Sequence, residues 1–249
     1  MNIVKKFADI VQVKSCKGGY RPTDKGIVFD GDGIARYEVG DFKGKCLIYC
    51  HGNGEVATSS KFLFDILTSN GFSVVAPDYR GYGLSMGEFT EEGVYEAARS
   101  AYNSLIARGV KPQDIVIWGY SLGSCAALDL ASTVESAGLI LQTPFASGQR
   151  MADHYWKSDP HRSARTGLPR VTDEFRNVDR AAKVRVPTLV FHGTVDSVVP
   201  YEQGEEVYKA IGTHEKRLVT VDGGNHCDFQ RVMGFDKYVA ALVNFTNAV

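Results

Sequence analysis

From Lys45 onward, short apolar runs alternate with longer stretches in which apolar and polar residues recur at helical spacing. The runs are Cys46-Leu-Ile-Tyr, Phe72-Ser-Val-Val-Ala, Ile115-Val-Ile-Trp, Leu139-Ile-Leu, Thr188-Leu-Val-Phe and Arg217-Leu-Val-Thr-Val. Strands this apolar are expected to be buried on both faces, which predicts an α/β fold with a mostly parallel sheet and right-handed crossovers. The intervening periodicity predicts helices over about 57–69, 91–108, 122–133, 201–211 and 231–247. Upstream, Ile27-Val-Phe and Ile34-Ala-Arg-Tyr-Glu-Val flank the turn Asp30-Gly-Asp-Gly33, so antiparallel pairing is expected first.

In such a sheet the chemistry gathers where strands end at their carboxyl edge. One of these ends is Asp114-Ile-Val-Ile-Trp-Gly-Tyr-Ser-Leu-Gly123, which leads into the Ala- and Leu-rich stretch 122–130 and places Ser121 on a strand-to-helix turn. Such a turn would strain the serine backbone, and a Cβ at position 119 or 123 would strike a neighbouring element. Gly-X-Ser-X-Gly alone arises by chance in roughly one of ten chains of this length, so context must decide. Two later strands deliver Asp196 and His226, completing a Ser, Asp, His order. Alone, Asp196 reads as a turn or capping residue and His226 as a loop histidine. Together with Ser121 they suit acyl transfer: Ser121 as nucleophile, His226 as base and Asp196 as the group that orients it. The amides of Asn53, in His51-Gly-Asn-Gly54, and of Leu122 are candidate oxyanion donors. His51 is expected to hold the loop, and Asp78 and Arg80 to tie neighbouring loops.

These segments resemble the serine α/β-hydrolases, and within them the BEM46-like group that includes the ABHD13 and ABHD17 types. The similar stretches are His51-Gly-Asn-Gly54, Asp78-Tyr-Arg-Gly-Tyr-Gly-Leu-Ser85 with Glu91-Glu-Gly93, Gly119-Tyr-Ser-Leu-Gly123, Thr143-Pro-Phe145, Phe191-His-Gly-Thr-Val-Asp-Ser-Val-Val-Pro200 and Gly224-Asn-His226. The resemblance implies an α/β-hydrolase fold: an eight-stranded sheet with one antiparallel strand and a triad of Ser121, Asp196 and His226. It also implies hydrolysis of an ester or thioester through an acyl-enzyme. A single domain is expected over 1–249, with a small cap over about 146–186 that carries Arg150, Arg162, Arg165, Arg170, Arg176 and Arg180 among interspersed acids. Those arginines are read as surface ion pairs rather than substrate ligands. A moderately sized acyl pocket is expected, lined partly by Met86, Phe89, Phe145, Tyr155 and Trp156.

Composition narrows the alternatives. The net charge of -1 over 249 residues gives no electrostatic case for nucleic acid. The start lacks an apolar core after its lysines, position 2 is Asn and the last residue is not a Cys-box member, so no signal peptide, membrane span or lipid anchor is expected. A cytoplasmic protein follows as the default. Five cysteines, an odd and scattered set, are expected as thiols, with Cys125 in the core. No metal or other cofactor is expected: His154 and His161 share a loop without metal-site spacing, and Gly31-Asp-Gly33 lacks a phosphate-loop lysine. The expected partner is a small-molecule ester or acyl-thioester, an acylated protein included. A serine peptidase on the same fold, and a silent hydrolase-like binding protein, are the alternatives.

Overall fold

The computed structural model describes residues 25–158 and 174–249. Eight strands form one sheet: β1 (Ile27–Phe29), β2 (Ala35–Val39), β3 (Cys46–Cys50), β4 (Ser73–Pro77), β5 (Ile115–Tyr120), β6 (Gly138–Gln142), β7 (Thr188–Gly193) and β8 (Lys216–Val221). Their order across the sheet is β1-β2-β4-β3-β5-β6-β7-β8. β2 pairs antiparallel with both β1 and β4, and every other pairing is parallel, so a single strand runs against the rest. The helices among the described residues are α1 (Lys61–Ser69), α2 (Glu91–Ala107), α3 (Gly123–Ala131), α4 (Gly148–Ser158), α5 (Asn177–Ala181), α6 (Tyr201–Ala210), α7 (Phe229–Met233) and α8 (Phe235–Ala248).

The alternation of a pleated strand sends neighbouring residues to opposite faces, and here both faces are buried. Cys46, Ile48, Ile117 and Leu141 join the core beneath α2, α3 and α6, while Leu47, Tyr49, Trp118 and Phe191 join the one beneath α1 and α8. β3, β4 and β6 are buried along their whole length and β5 everywhere but at its last residue, Tyr120, as their apolar runs require. β8 departs from that expectation, because it forms an edge of the sheet and only Val221 in it is buried.

Local chemistry explains where the helices differ from their expected bounds. α1 begins at Lys61 rather than near 57, because the Ala57 amide donates to Asp78 Oδ1 (2.8 Å) and the Val56 amide to Ser59 Oγ (2.9 Å). The Ser59 amide donates to the Val56 carbonyl (2.8 Å) and the Lys61 amide to the Thr58 carbonyl (3.1 Å), so the segment closes in three-residue turns before the helical ladder begins. The last expected helix is broken into α7 and α8 at Gly234, whose φ of 93° no helix accommodates. α2 starts where Thr90 Oγ1 accepts from the Gly93 amide (2.8 Å), with Glu91 and Glu92 in the first turn beside the helix dipole. The region expected to form a cap, 146–186, contains α4 and α5, and its residues 159–173 lie outside the described residues, together with Arg162, Arg165, Arg170 and His161.

A close backbone approach lies between α3 and the end of β3. A Cβ on Gly123 would sit 2.0 Å from the Cys50 carbonyl oxygen, and one on Gly119 would sit 2.5 Å from the Gly123 carbonyl oxygen. Both obstacles are backbone and cannot swing away. Gly123→Ala is expected to lower stability by about 2–3 kcal/mol in a denaturant titration. Gly31→Ala, where an added Cβ meets nothing within 4 Å, is expected to change it by less than about 0.5 kcal/mol.

Candidate active site

β5 delivers the serine. Its last residue, Tyr120, is followed by Ser121 at a φ of 51°, a left-handed backbone that a non-glycine residue adopts only under constraint. Two features impose it: the Ser121 amide donates to the Gln142 carbonyl (2.9 Å), extending the ladder to β6, while α3 begins two residues later. The chain must therefore turn from strand to helix within one residue, and Oγ is lifted above the sheet edge.

β7 and β8 deliver the other two side chains from loops that are tied together. Asn225 Oδ1 accepts from the Ser197 amide (3.0 Å), the Ser197 hydroxyl (3.1 Å) and the His226 amide (2.7 Å). The Val195 amide donates to the Gly224 carbonyl (3.1 Å), so the loop carrying Asp196 and the loop carrying His226 move as one. His226 Nδ1 lies 2.7 Å from Asp196 Oδ2, and His226 Nε2 lies 3.0 Å from Ser121 Oγ. With Nδ1–H donating to the carboxylate, Nε2 presents its lone pair to the serine hydroxyl, the tautomer a general base needs. Each of the three residues is more than 90% buried, so these bonds act with little competition from water.

Asp196 is the electrostatic anchor. Burial by itself pushes its carboxyl up, but hydrogen bonds from His192 and His226, with the amide of Val199, outweigh burial and hold it well below the usual carboxylate range. Oδ1 accepts from the amides of Val198 (2.9 Å) and Val199 (2.8 Å), and His192 Nε2 stands 3.5 Å from Oδ2. His192 also donates from Nε2 to the Val199 carbonyl (2.9 Å), bracing the same loop. Neither His192 nor Asn225 had been singled out from the sequence; the signal available was their position beside Asp196 and His226 in segments dense with turn-forming residues.

His51 and Asp78 are structural, as expected. His51 is fully buried, with Nδ1 2.9 Å from the Gly52 carbonyl oxygen and its ring packed on Tyr79 at 4.3 Å. Asp78 accepts from the amides of Ala57 and Leu84 (2.8 and 3.0 Å), and Arg80 reaches Glu96 (2.5 Å) and the Asp32 carbonyl (3.2 Å). Cys46, Cys50 and Cys125 are buried free thiols and Cys227 an exposed one; burial pushes the Cys125 thiol up, in keeping with a core residue. Arg150 pairs with Glu206, Arg176 with Asp179, and Arg180 with both Asp129 and Glu91, so the described cap arginines are engaged with acids. Among the described residues, no group of three or more His, Cys, Asp or Glu side chains is placed to hold a metal ion.

A cavity of about 320 Å³ opens above Ser121. Its lining is apolar at Leu122, Phe145, Met151, Tyr155, Val198 and Val199, and also includes Asn53, Glu55, Tyr120, His226 and Cys227. Phe145 and Tyr155 thus lie where the sequence suggested, and both oxyanion candidates, Asn53 and Leu122, border the cavity. Met86, Phe89 and Trp156 do not line it. Met86 is bound through its amide to the Gly33 carbonyl (2.9 Å) beside the β1–β2 turn and is 67% exposed. Phe89 packs on Tyr82 at 5.6 Å. Trp156 follows Tyr155 on α4 and is rotated about 100° away from it, whereas Met151 lies four residues earlier and shares the cavity face.

Known proteins resemble this chain in sequence and in fold. The family model Hydrolase_4, described as serine aminopeptidase, S33, matches residues 43–177 and 152–230. This chain is an α/β-hydrolase of that family. The hydrolase is 30% identical to the human alpha/beta hydrolase domain-containing protein 17B over 81% of its own length and 66% of the relative's. To protein 17C of Xenopus laevis it is 31% identical, over 80% of its length and 60% of the relative's. It therefore spans about three fifths to two thirds of these relatives. A solved esterase from Pyrococcus furiosus superposes with a TM-score of 0.73 at 16% identity, covering 93% of this chain and 94% of the esterase, a likeness of fold. No helix among the described residues of the hydrolase is long and apolar enough to cross a membrane.

The depressed carboxyl of Asp196 has a measurable consequence. Its contribution to stability is complete above the unfolded value of about 3.9 and is lost as pH falls through the lower folded value. Urea titrations of wild type and Asp196→Asn are expected to show a stability gap that is larger at pH 6 than at pH 3. A gap independent of pH would contradict the assignment.

Proposed function

We propose that this α/β-hydrolase is a serine hydrolase that cleaves a carboxylic ester or thioester through an acyl-serine intermediate. The observation that carries the reading is the continuous chain from Ser121 Oγ to His226 Nε2 (3.0 Å) and from His226 Nδ1 to Asp196 Oδ2 (2.7 Å), at the floor of a cavity large enough for an acyl group. Ser121 Oγ attacks the carbonyl carbon while its proton passes to His226 Nε2. The carbonyl oxygen becomes an oxyanion between the amides of Asn53 and Leu122, the latter at the positive start of α3. Collapse breaks the bond to the alcohol or thiol, which leaves with the proton from His226. Water then gives a proton to His226 and its hydroxyl to the acyl carbon, releasing the acid and restoring Ser121. Asp196 stays ionised throughout and stabilises the imidazolium formed in both halves.

The apolar wall suits a short or medium acyl chain, and α4 covers it as part of a cap over about 146–186. A second reading, hydrolysis of an amide by the same steps, is favoured by the family's description as a serine aminopeptidase. Matched ester and aminoacyl-amide substrates distinguish the two.

A fluorophosphonate probe is expected to label wild type and not Ser121→Ala; labelling that persists in the variant, or none in wild type, sinks the reading. Asp196→Asn is expected to lower kcat by about 10⁴, because the wrong imidazole tautomer then faces the serine. With p-nitrophenyl esters of increasing length, kcat/KM is expected to peak at short or medium chains, and activity confined to long chains would count against the pocket as described.

A further inference from the structure

We propose that Glu55 selects substrates whose leaving group carries a positive charge, an inference that rests on the serine-hydrolase reading and names the class of ester or thioester it acts on. Glu55 is a half-buried carboxylate that borders the cavity, together with Tyr120, whose hydroxyl reaches the His226 carbonyl. Its Oε2 accepts from the Gly52 amide (2.7 Å), and its own amide donates to the Gly52 carbonyl (3.3 Å), so the group is held to the loop rather than swinging in solvent. That bond uses one of about four acceptor positions on a carboxylate.

Tyr120 stands beside it. A Cβ built on Gly52 would lie 2.8 Å from Tyr120 Cδ1 and 3.3 Å from Glu55 Oε2, so ring edge and carboxylate oxygen converge over one backbone carbon. The glycine leaves both groups open to the same space. A carboxylate bordering a partly apolar cavity attracts a cation by charge, with less screening than on an open surface. The Tyr120 hydroxyl in turn donates to the His226 carbonyl (3.2 Å) and meets Cys227 Sγ (3.6 Å), tying it to the loop that carries the imidazole.

Position relative to the reaction assigns the pair its part of the substrate. His226 must hand its proton to the departing alcohol or thiol, so the leaving group lies beside His226, and the acyl chain takes the apolar lining of Phe145, Met151 and Val199. An ammonium borne by the leaving group therefore comes to rest against Glu55 and Tyr120, whereas a phosphate or carboxylate there meets a like charge. Discrimination of this kind acts through binding, so it is expressed in KM more than in kcat.

The test uses two esters of one acyl group, butyrylcholine and its uncharged isostere 3,3-dimethylbutyl butyrate. The choline ester is expected to exceed the isostere about tenfold in kcat/KM, mostly through KM, and the ratio is expected to fall as ionic strength rises. In Glu55→Gln, whose amide oxygen can still accept from Gly52, the ratio is expected to approach one. Equal rates on the two esters in wild type, or a preference unaffected by salt and by Glu55→Gln, overturn the inference while leaving the serine-hydrolase reading intact. No turnover of either ester together with no fluorophosphonate labelling overturns both. The salt dependence is read on wild type, so it stands even where the variant folds poorly.

Discussion

Everything at this site depends on how closely α3 can approach the end of β3. With no side chain at Gly119 or Gly123, the first turn of the helix rests against the Cys50 and His51 carbonyls. That contact leaves Ser121 no conformation but a left-handed one, and the strain is maintained by packing on every side: the ladder bond to Gln142, the helix behind and the strand beneath. A serine in a relaxed loop would spend its time in several rotamers and directions. Here its direction is a property of the sheet.

The second constraint is the joint held by Asn225. Two loops arriving from adjacent strands could each wander, and a histidine and an aspartate on separate wandering loops would rarely align to within a hydrogen bond. One amide oxygen accepting three donors removes that freedom. The carboxylate of Asp196 then accepts from two backbone amides and from His226, with His192 Nε2 a further 3.5 Å neighbour, and these contacts offset its burial. Geometry and electrostatics are therefore produced by the same handful of hydrogen bonds. The cavity above inherits its mixed character from the elements that meet there: α4 and the loop after β7 supply apolar atoms, and the loop after β3 supplies Asn53 and Glu55.

Much of this was legible before any coordinates. Apolar runs of three to five residues separated by helical periodicity point to strands, and six of the eight strands lie where those runs fall. Residues at strand ends were also readable as a set, and Ser121, Asp196 and His226 do meet in space although 105 and 30 positions separate His226 from its two partners. What misled was local. The periodicity that continues from 231 to 247 does not reveal the break at Gly234, and the size and apolar character of Met86, Phe89 and Trp156 suggest a pocket that they do not line. Nearness in sequence sets neither which face of a helix turns inward nor which loop folds away.

By itself, then, the order of residues determined the class of fold and the three side chains of the candidate centre. Both follow from rules that operate over a few residues: the two-residue repeat of a buried strand, the steric demand of a tight turn, and the distinct acid–base character of Ser, His and Asp. Only the tertiary structure decided that His192 braces the loop of Asp196, that Asn225 ties two loops together, and that Tyr120 comes near Glu55 and bonds to the His226 carbonyl. Those are contacts between segments far apart in the chain. Their existence depends on how sheet twist, helix approach and loop length add up, which no short window of sequence contains.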